Sequence, residues 1–311
     1  MRIGILTTGN QEEDQRFLEA GRARGHDVTL LELLKCSLSI CPRYPDIYYE
    51  GVSIGKDFDI IIPRIDTGYT QYGLTVLRQF QSMHIFTTDQ ARALELGRDK
   101  LRCVQRLLRD NVPFPSTGFA YSKSDFDNII NTVGGVPLII KLVEGTEGVG
   151  VFLADDMKHA INLLKTFKQL SAPLMVQKFI GESAGTDIRA FVVGDEIVAT
   201  MRRVSTDGDF RANIALGGES EAIDLTDLEK EITMKAVESV GINIAGVDLI
   251  RSKEGPLVIE INVSPGFSEL EDISNIDIAG KMIEYSIQAK QDADEKNALL
   301  LQHKSILKHV A

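Results

Sequence analysis

Residues 246–267 read GVDLIRSKEGPLVIEINVSPGF. Two apolar runs broken by Lys253-Glu254-Gly255-Pro256 predict a β-hairpin. Centring the turn on Glu254 sets Asp248 opposite Glu260. Asn262 then shares a face with Glu260, because side chains alternate along a strand. The other face collects Val247, Leu249, Leu257, Ile259 and Ile261, an apolar set suited to a core. Two carboxylates facing across a ladder repel, and apolar surroundings add a desolvation cost. A cation must offset both. Asp, Glu and Asn offer only hard oxygen donors, which suit magnesium and leave room for water and phosphate oxygens. An isolated Asp and Glu would read as a solvated hairpin face. Glu-x-Asn followed by Val-Ser-Pro-Gly is the more specific pattern.

A metal site of this kind serves a polyphosphate, so a phosphate cradle is expected elsewhere. Residues 138–153, LIIKLVEGTEGVGVFL, supply one. Lys141 ends an apolar strand, Gly145, Gly148 and Gly150 fill the following loop, and the chain returns to a strand at 149–153. Walker and dinucleotide loops both open a helix, and this one does not. A glycine-rich strand-loop-strand can lie over phosphates as a flap, with backbone N–H groups pointing down and Lys141 beside them. Glycine hairpins are common, so the loop gains meaning from its pairing with the acidic hairpin.

Working outward, residues 1–96 alternate strands (3–6, 28–33, 58–63) with helices (11–24, 69–83), an α/β pattern. The turn Thr7-Thr8-Gly9-Asn10 lacks a Gly-x-Gly-x-x-Gly series, which disfavours a dinucleotide site. A helix over 99–110 ends at Asn111, and Val112-Pro-Phe-Pro marks an extended exit. Beyond it the strands become short and frequent (116–120, 136–142, 174–179, 189–193, 196–201). Helices at 124–133, 155–170 and 226–240 interrupt them, an α+β pattern with antiparallel hairpins. The tail after about 277 is helical in spacing and polar over 290–297. It then turns apolar at Leu299, Leu300, Leu301, Ile306, Leu307 and Val310, which suggests a helical extension packing on this or another subunit. The expected parts are 1–96, 97–176, 177–289 with the metal site, and a tail over 290–311.

Of the 311 residues 43% are hydrophobic and 25% charged, ordinary globular composition. The net charge of −11 argues against gripping a nucleic-acid backbone, which needs a basic face. No run of eighteen apolar residues is present, so no membrane span is expected. The opening MRIGILTTGN has no secretory pattern. Cys36, Cys41 and Cys103 cannot all pair and match no zinc spacing, so a reducing cytoplasm is expected.

The combination of Lys141 and its glycine loop with Asp248, Glu260 and Asn262 resembles the ATP-grasp fold. More closely, the chain resembles the RimK family, ligases that add glutamate to the C-terminus of a small-subunit ribosomal protein. The segments that carry the likeness are IIPRID (61–66), YGLTVLRQF (72–80), RDKLR (98–102), VGGVPLIIKLVEGTEGVGV (133–151), DIRAFVVGDEIVA (187–199), AGVDLIRSKEGPLVIEINVSPG (245–266) and IDIAGKMI (276–283). The likeness runs to about residue 285 and implies an ATP-grasp fold behind an N-terminal α/β (pre-ATP-grasp) domain.

The resemblance also implies roles. Lys100 and Lys141 match phosphate-contacting lysines, and Gln177, Lys178 and Phe179 match the segment that meets adenine. Asp187 matches a ribose-contacting acid. Arg211, Ala212 and Asn213 match the stretch beside the transferred phosphate, with Arg211, Lys141 and Asn213 as the catalytic set. Asp248, Glu260 and Asn262 would hold two magnesium ions, with manganese as a substitute. Arg64, Arg189, Arg202, Arg203, Ser264 and Gly266 are candidates for substrate contact, with an ordinary ion-paired surface arginine as the alternative for Arg189, Arg202 and Arg203. Two positions depart from the family pattern: Lys178-Phe179 stands where Glu-Tyr is common, and Asp66 where Gly is usual.

The chemistry expected is transfer of the γ-phosphoryl of ATP to a carboxylate, then attack of an amine on the acyl-phosphate with loss of phosphate. L-Glutamate would supply the amine, with a ribosomal protein's C-terminus, a glutamate oligomer or a small molecule as acceptor. No covalent nucleophile is needed, and the five histidines form no cluster. A regulatory nucleotide-binding protein without turnover and an ATP-grasp kinase are the alternatives. The family likeness and apolar tail suggest a homo-oligomer.

Overall fold

The computed structural model describes residues 1–143, 150–212 and 218–310, with backbone alone over 302–310. The chain divides into two compact units, Met1–Ala91 with Gly266–Ser268 and Asp277–Ala311, and Arg92–Pro265 with Glu269–Ile276.

In the first unit, strand β1 (Arg2–Thr7) leads into helix α1 (Gln11–Ala23) and strand β2 (Asp27–Glu32). Asn10 caps α1, its side chain accepting from the Glu13 N–H. Strands β3 (Cys36–Ser39), β4 (Asp46–Tyr49) and β5 (Val52–Ser53) form a small antiparallel sheet that hydrophobic spacing does not reveal. Strand β6 (Ile60–Arg64), helix α2 (Thr70–Ser82) and strand β7 (Phe86–Thr87) follow. The parallel sheet runs β2-β1-β6-β7. Its inner strands are buried on both faces, with Ile3, Ile5, Leu6, Ile60, Ile61 and Ile62 shut from solvent. That is why they read as unbroken apolar runs. The strand order turns about β1 and β6, whose ends pair Thr7 with Arg64. The C-terminal helix, Ile278–Val310, packs on α1, where Arg24 bonds Asp277 and Glu284. Near its far end Leu299, Leu300 and Leu301 stand exposed.

The second unit opens with helices α3 (Ala91–Arg98) and α4 (Lys100–Arg109), the latter capped by Asp99. Strand β8 (Thr117–Gly118), helix α5 (Phe126–Thr132), strands β9 (Leu138–Leu142) and β10 (Val151–Ala154), helix α6 (Met157–Gln169) and strand β11 (Leu174–Lys178) make one layered module. Its antiparallel sheet runs β10-β9-β11-β8 over a core that includes Phe126, Ile130, Leu138, Ile140, Leu164 and Val176. A second antiparallel sheet, β14-β13-β12-β15-β16, comprises β12 (Thr186–Val193), β13 (Glu196–Val204), β14 (Glu219–Ala222), β15 (Ile244–Ser252) and β16 (Gly255–Asn262). Helix α7 (Asp227–Val240) packs on β15 and β16, opened by the Thr226–Glu229 capping box and closed by Gly241 in the left-handed region. Helix α8 (Ser268–Ser274) follows the hairpin.

The hairpin departs from its sequence reading in one instructive way. Asp248 does pair with Glu260, but the turn is tighter than expected, with Ser252 facing Gly255. A bulge beyond Asp248, where Leu249 faces Val258, inserts one residue and restores the Asp248–Glu260 pairing. The inserted residue also shifts the core face. Val258 is 2% exposed, whereas Leu257 and Ile259, expected inside, are only half-buried. A hydrophobic pattern cannot locate a bulge, since it reports alternation and not the count of residues opposed.

Candidate functional site

One face of the larger sheet gathers the charged residues. Cross-strand register sets Arg203 beside Asp187 and Arg189 beside Asp248, with Glu260 next in line. Arg203 donates to both Asp187 oxygens at 2.6 and 2.9 Å, and its Nη2 lies 3.1 Å from Asp248 Oδ2. Arg189 grips Asp248 with two donors, Nη2 at 2.8 Å and Nε on the other oxygen. Asn262 Nδ2 donates to Asp248 Oδ2 at 3.2 Å. Lys100 Nζ stands 3.0 Å from Glu260 Oε1. The cation that two facing acids require is thus present within the protein itself.

Burial works to raise the Asp248 carboxyl, yet the charges of Arg189 and Arg203 outweigh it and hold the group at about 2. Burial pushes Asp187 up to about 6, against the pull of Arg203 and with a push from Asp248. Burial also lowers the Lys141 ammonium, which Glu260 opposes and Lys100 reinforces. Lys100, Lys141 and Glu260 line one crevice with Gly97, Cys103 and Met175.

Lys100 holds the first position of α4, and Lys141 lies in β9, paired with Val151 and Met175. Gly150, just before β10, sits at φ +78°, and a Cβ there would meet Leu142 Cδ1 at 2.4 Å, so the position favours glycine. Gly145, Gly148 and Asn213 lie outside the described residues. Gln177 is buried and donates to Thr117 Oγ1 at 3.0 Å, while the exposed Lys178 donates its N–H to the Ser116 carbonyl. The Phe179 ring meets Phe210 edge-on at 6.4 Å, and the Arg211 guanidinium lies 5.4 Å from the Phe210 centroid. Asp209 holds Arg211 with contacts of 2.7 and 3.0 Å, and Ala212 beside it is buried.

Arg202 and Arg203 part company because neighbours on a strand face opposite ways. Arg203 is 9% exposed within the cluster, whereas Arg202, 44% exposed, emerges on the other face and pairs with Glu221. Arg202 is therefore not brought to the cluster. Ser264 is half-buried. In the first unit, buried Arg64 donates to Glu13 Oε2 at 2.8 Å and lies over the Phe267 ring, while Glu13 Oε1 accepts the Phe267 N–H at 2.8 Å. Gly266 precedes this anchor and is exposed.

Residues 97–286 match the RimK-like ATP-grasp domain and residues 1–94 the RimK PreATP-grasp domain. The chain belongs to the RimK family of ATP-grasp ligases. This RimK-family chain is 45% identical over 286 residues to a probable alpha-L-glutamate ligase of Coxiella burnetii, covering 92% of the chain and 95% of the relative. Its fold is shared with the crystal structure of a RimK domain ATP-grasp protein from Sphaerobacter thermophilus (TM-score 0.74, 21% identity, 92% and 99% covered). It is shared too with the ATP-grasp ligase PsnB complexed with minimal precursor, Mg and ADP (TM-score 0.70, 19% identity, 93% and 98% covered).

The residues of this RimK-family member fit a magnesium–nucleotide pair on chemistry. Asp248, Glu260 and Asn262 provide five side-chain oxygens' worth of hard donors on one face. Lys100 contacts Glu260, and Lys141 lines the same crevice, two cations of the kind a phosphate would require. Among the described residues no group of three or more His, Cys, Asp or Glu side chains is placed to hold a metal. The cysteines are free, Cys36 and Cys103 buried and Cys41 exposed. Sequence reasoning missed Glu13, Phe210 and the direct grip of Arg189 on Asp248. For the last, the two-residue spacing of Asp187 and Arg189 puts both on one face, but that this face meets Asp248 is set only by the sheet order.

Proposed function

We propose that this ligase activates a carboxylate with ATP and joins it to the amine of L-glutamate. The C-terminus of a small-subunit ribosomal protein is the acceptor we favour, with a growing glutamate chain as the alternative. The observation that carries the reading is the placing of Asp248, Glu260 and Asn262 on one face beside Lys100, with Lys141 in the same crevice as Glu260. The name of the Coxiella burnetii relative supports glutamate, and the PsnB complex with Mg and ADP supports magnesium and the nucleotide.

A carboxylate oxygen attacks the γ-phosphorus, the bond to ADP breaks, and an acyl-phosphate results. The amine then attacks the carbonyl, phosphate departs and the amine's proton is lost. Magnesium, when bound, neutralises charge on the phosphoryl oxygens. Asp248, Glu260 and Asn262 would hold it, two ions being our expectation and manganese a substitute. Lys100, Lys141 and Arg211 bind phosphate oxygens, with Asn213 beside them. Gly145, Gly148 and Gly150 form the flap. Gln177, Lys178 and Phe179 meet adenine, Asp187 the ribose and Ala212 the nucleotide's edge. Arg64, Arg189, Arg203, Ser264 and Gly266 remain our candidates for substrate contact. Removing one phosphate-facing cation costs on the order of 10²–10³ in rate. No described helix is long and apolar enough to cross a membrane. We place the enzyme in the cytoplasm, without nucleic acid, as a homo-oligomer.

Intact-mass analysis after incubation with ATP, magnesium and glutamate, with and without the ribosomal protein, tests this reading. Increments of one glutamate on the protein support the favoured acceptor, and free oligoglutamate supports the alternative. ADP release that glutamate leaves unchanged would sink both.

A further inference from the structure

Both candidate carboxylate ligands are already engaged by protein cations, and the amide ligand is tied to one of them. Glu260 is bound by Lys100, Asp248 by Arg189 and Arg203, and the Asn262 amide donates to Asp248. With Nδ2 turned to Asp248, the Asn262 oxygen occupies the amide's other arm. Three cations, Lys100, Arg189 and Arg203, oppose three carboxylates, Asp187, Asp248 and Glu260. With Lys141 lining the same crevice as Glu260, such a cluster carries no excess negative charge even without a divalent ion. Adding two positive charges is unfavourable unless a cation moves away or an anion arrives.

The two arginines differ in how firmly they are tied. Arg203 is clamped by a second carboxylate, Asp187, through two hydrogen bonds. Arg189 makes an ion-pair contact with Asp248 and, among the described residues, with no other carboxylate. Its side chain also lies across Gly246: a Cβ at that glycine would come within 2.9 Å of Arg189 Cδ and 2.9 Å of Pro265 Cβ. The missing side chain leaves a track over β15 along which the guanidinium reaches Asp248. A fork held at one end over a bare backbone can swing; one clamped at both ends cannot.

We propose that Arg189 is a place-holder for the divalent cation, neutralising Asp248 in the metal-free site and released when the ion takes the Asp248 oxygens. Release delivers a guanidinium to an anionic oxygen of the bound reactants, so metal loading and anion binding become one event. The proposal rests on the assignment of Asp248, Glu260 and Asn262 as metal ligands. It predicts that the bare ion binds weakly because it must displace Arg189.

Mn²⁺ binding without nucleotide, followed by electron paramagnetic resonance, separates this from a merely orienting role. Arg189→Met should bind Mn²⁺ at least about tenfold more tightly than the wild type, since a contacting like charge is gone. An arginine that simply aims the Asp248 carboxylate would show the reverse, and unchanged or weaker binding overturns the proposal. Asp248→Asn should bind no Mn²⁺ at this site; equal binding by that variant overturns the ligand assignment, and the place-holder with it. A wild-type measurement guards against misfolding of the variant. The Arg189 Nε–H resonance, identified by its loss in Arg189→Lys, should shift when Mg²⁺ and ADP are added together. An unmoved resonance under saturating ligand refutes release.

Discussion

Replacing Asp248 by Asn tests the charge arrangement at its centre. Asp248 is 4% exposed and accepts from Arg189, Arg203 and Asn262. Asparagine keeps the shape and one acceptor oxygen but removes the charge. Arg203 retains Asp187, whereas Arg189, 11% exposed, loses its carboxylate. Stranding one partner of a buried ion pair costs about 3–5 kcal/mol. The surviving oxygen points to the lower end, about 3 kcal/mol. If unrelieved repulsion between Asp248 and Glu260 dominated, as the hairpin alone suggests, the same change would stabilise. The sign therefore decides. Urea denaturation at pH 7, free of metal and nucleotide, measures it as a shift in midpoint at constant slope. The folded carboxyl lies at about 2, below its ordinary 3.8, because the two guanidiniums outweigh burial. A group depressed in this way contributes fully above 3.8 and fades as pH falls through about 2, so pH 7 reports the whole effect. A variant as stable as the wild type, or more so, would refute the reasoning.

Gly246→Ala should cost about 1–3 kcal/mol by overpacking, since its Cβ would crowd Arg189 and Pro265. Thermal melting checks this, and an unchanged midpoint would mean that Arg189 does not lie over the strand. Alkylation by iodoacetamide at pH 8, mapped by peptide mass, should mark Cys41 first. Cys41 is exposed and its thiol is lowered by backbone donors of Arg43 and Tyr44, while burial pushes Cys36 to about 11 and Cys103 to about 12. Labelling of Cys103 at a comparable rate would show that the crevice beside Lys100 and Lys141 opens widely.

Much of this molecule is local in origin. The buried runs 3–6 and 60–63 declare a parallel sheet because both faces are covered, so no polar alternation interrupts them. The hairpin that brings Asp248 and Glu260 onto facing strands follows from a turn that must fall near Glu254, and the apolar runs on either side of the glycine-rich stretch after Lys141 declare two strands. The sequence by itself therefore determined the fold class and the candidate oxygen donors, since alternation, turn chemistry and donor hardness are properties of neighbouring residues. The bulge beyond Asp248 was invisible, because the chain's pattern records which residues are apolar and not how many oppose one another. The sorting of the arginines was equally hidden: Arg203 turns inward and Arg202 outward only once β12 and β13 have set their register. That Arg189 occupies the charge the acids demanded was settled by β12 lying next to β15, two strands far apart in the chain. Coulomb energy depends on separation in space, and only the folded sheet supplies that distance.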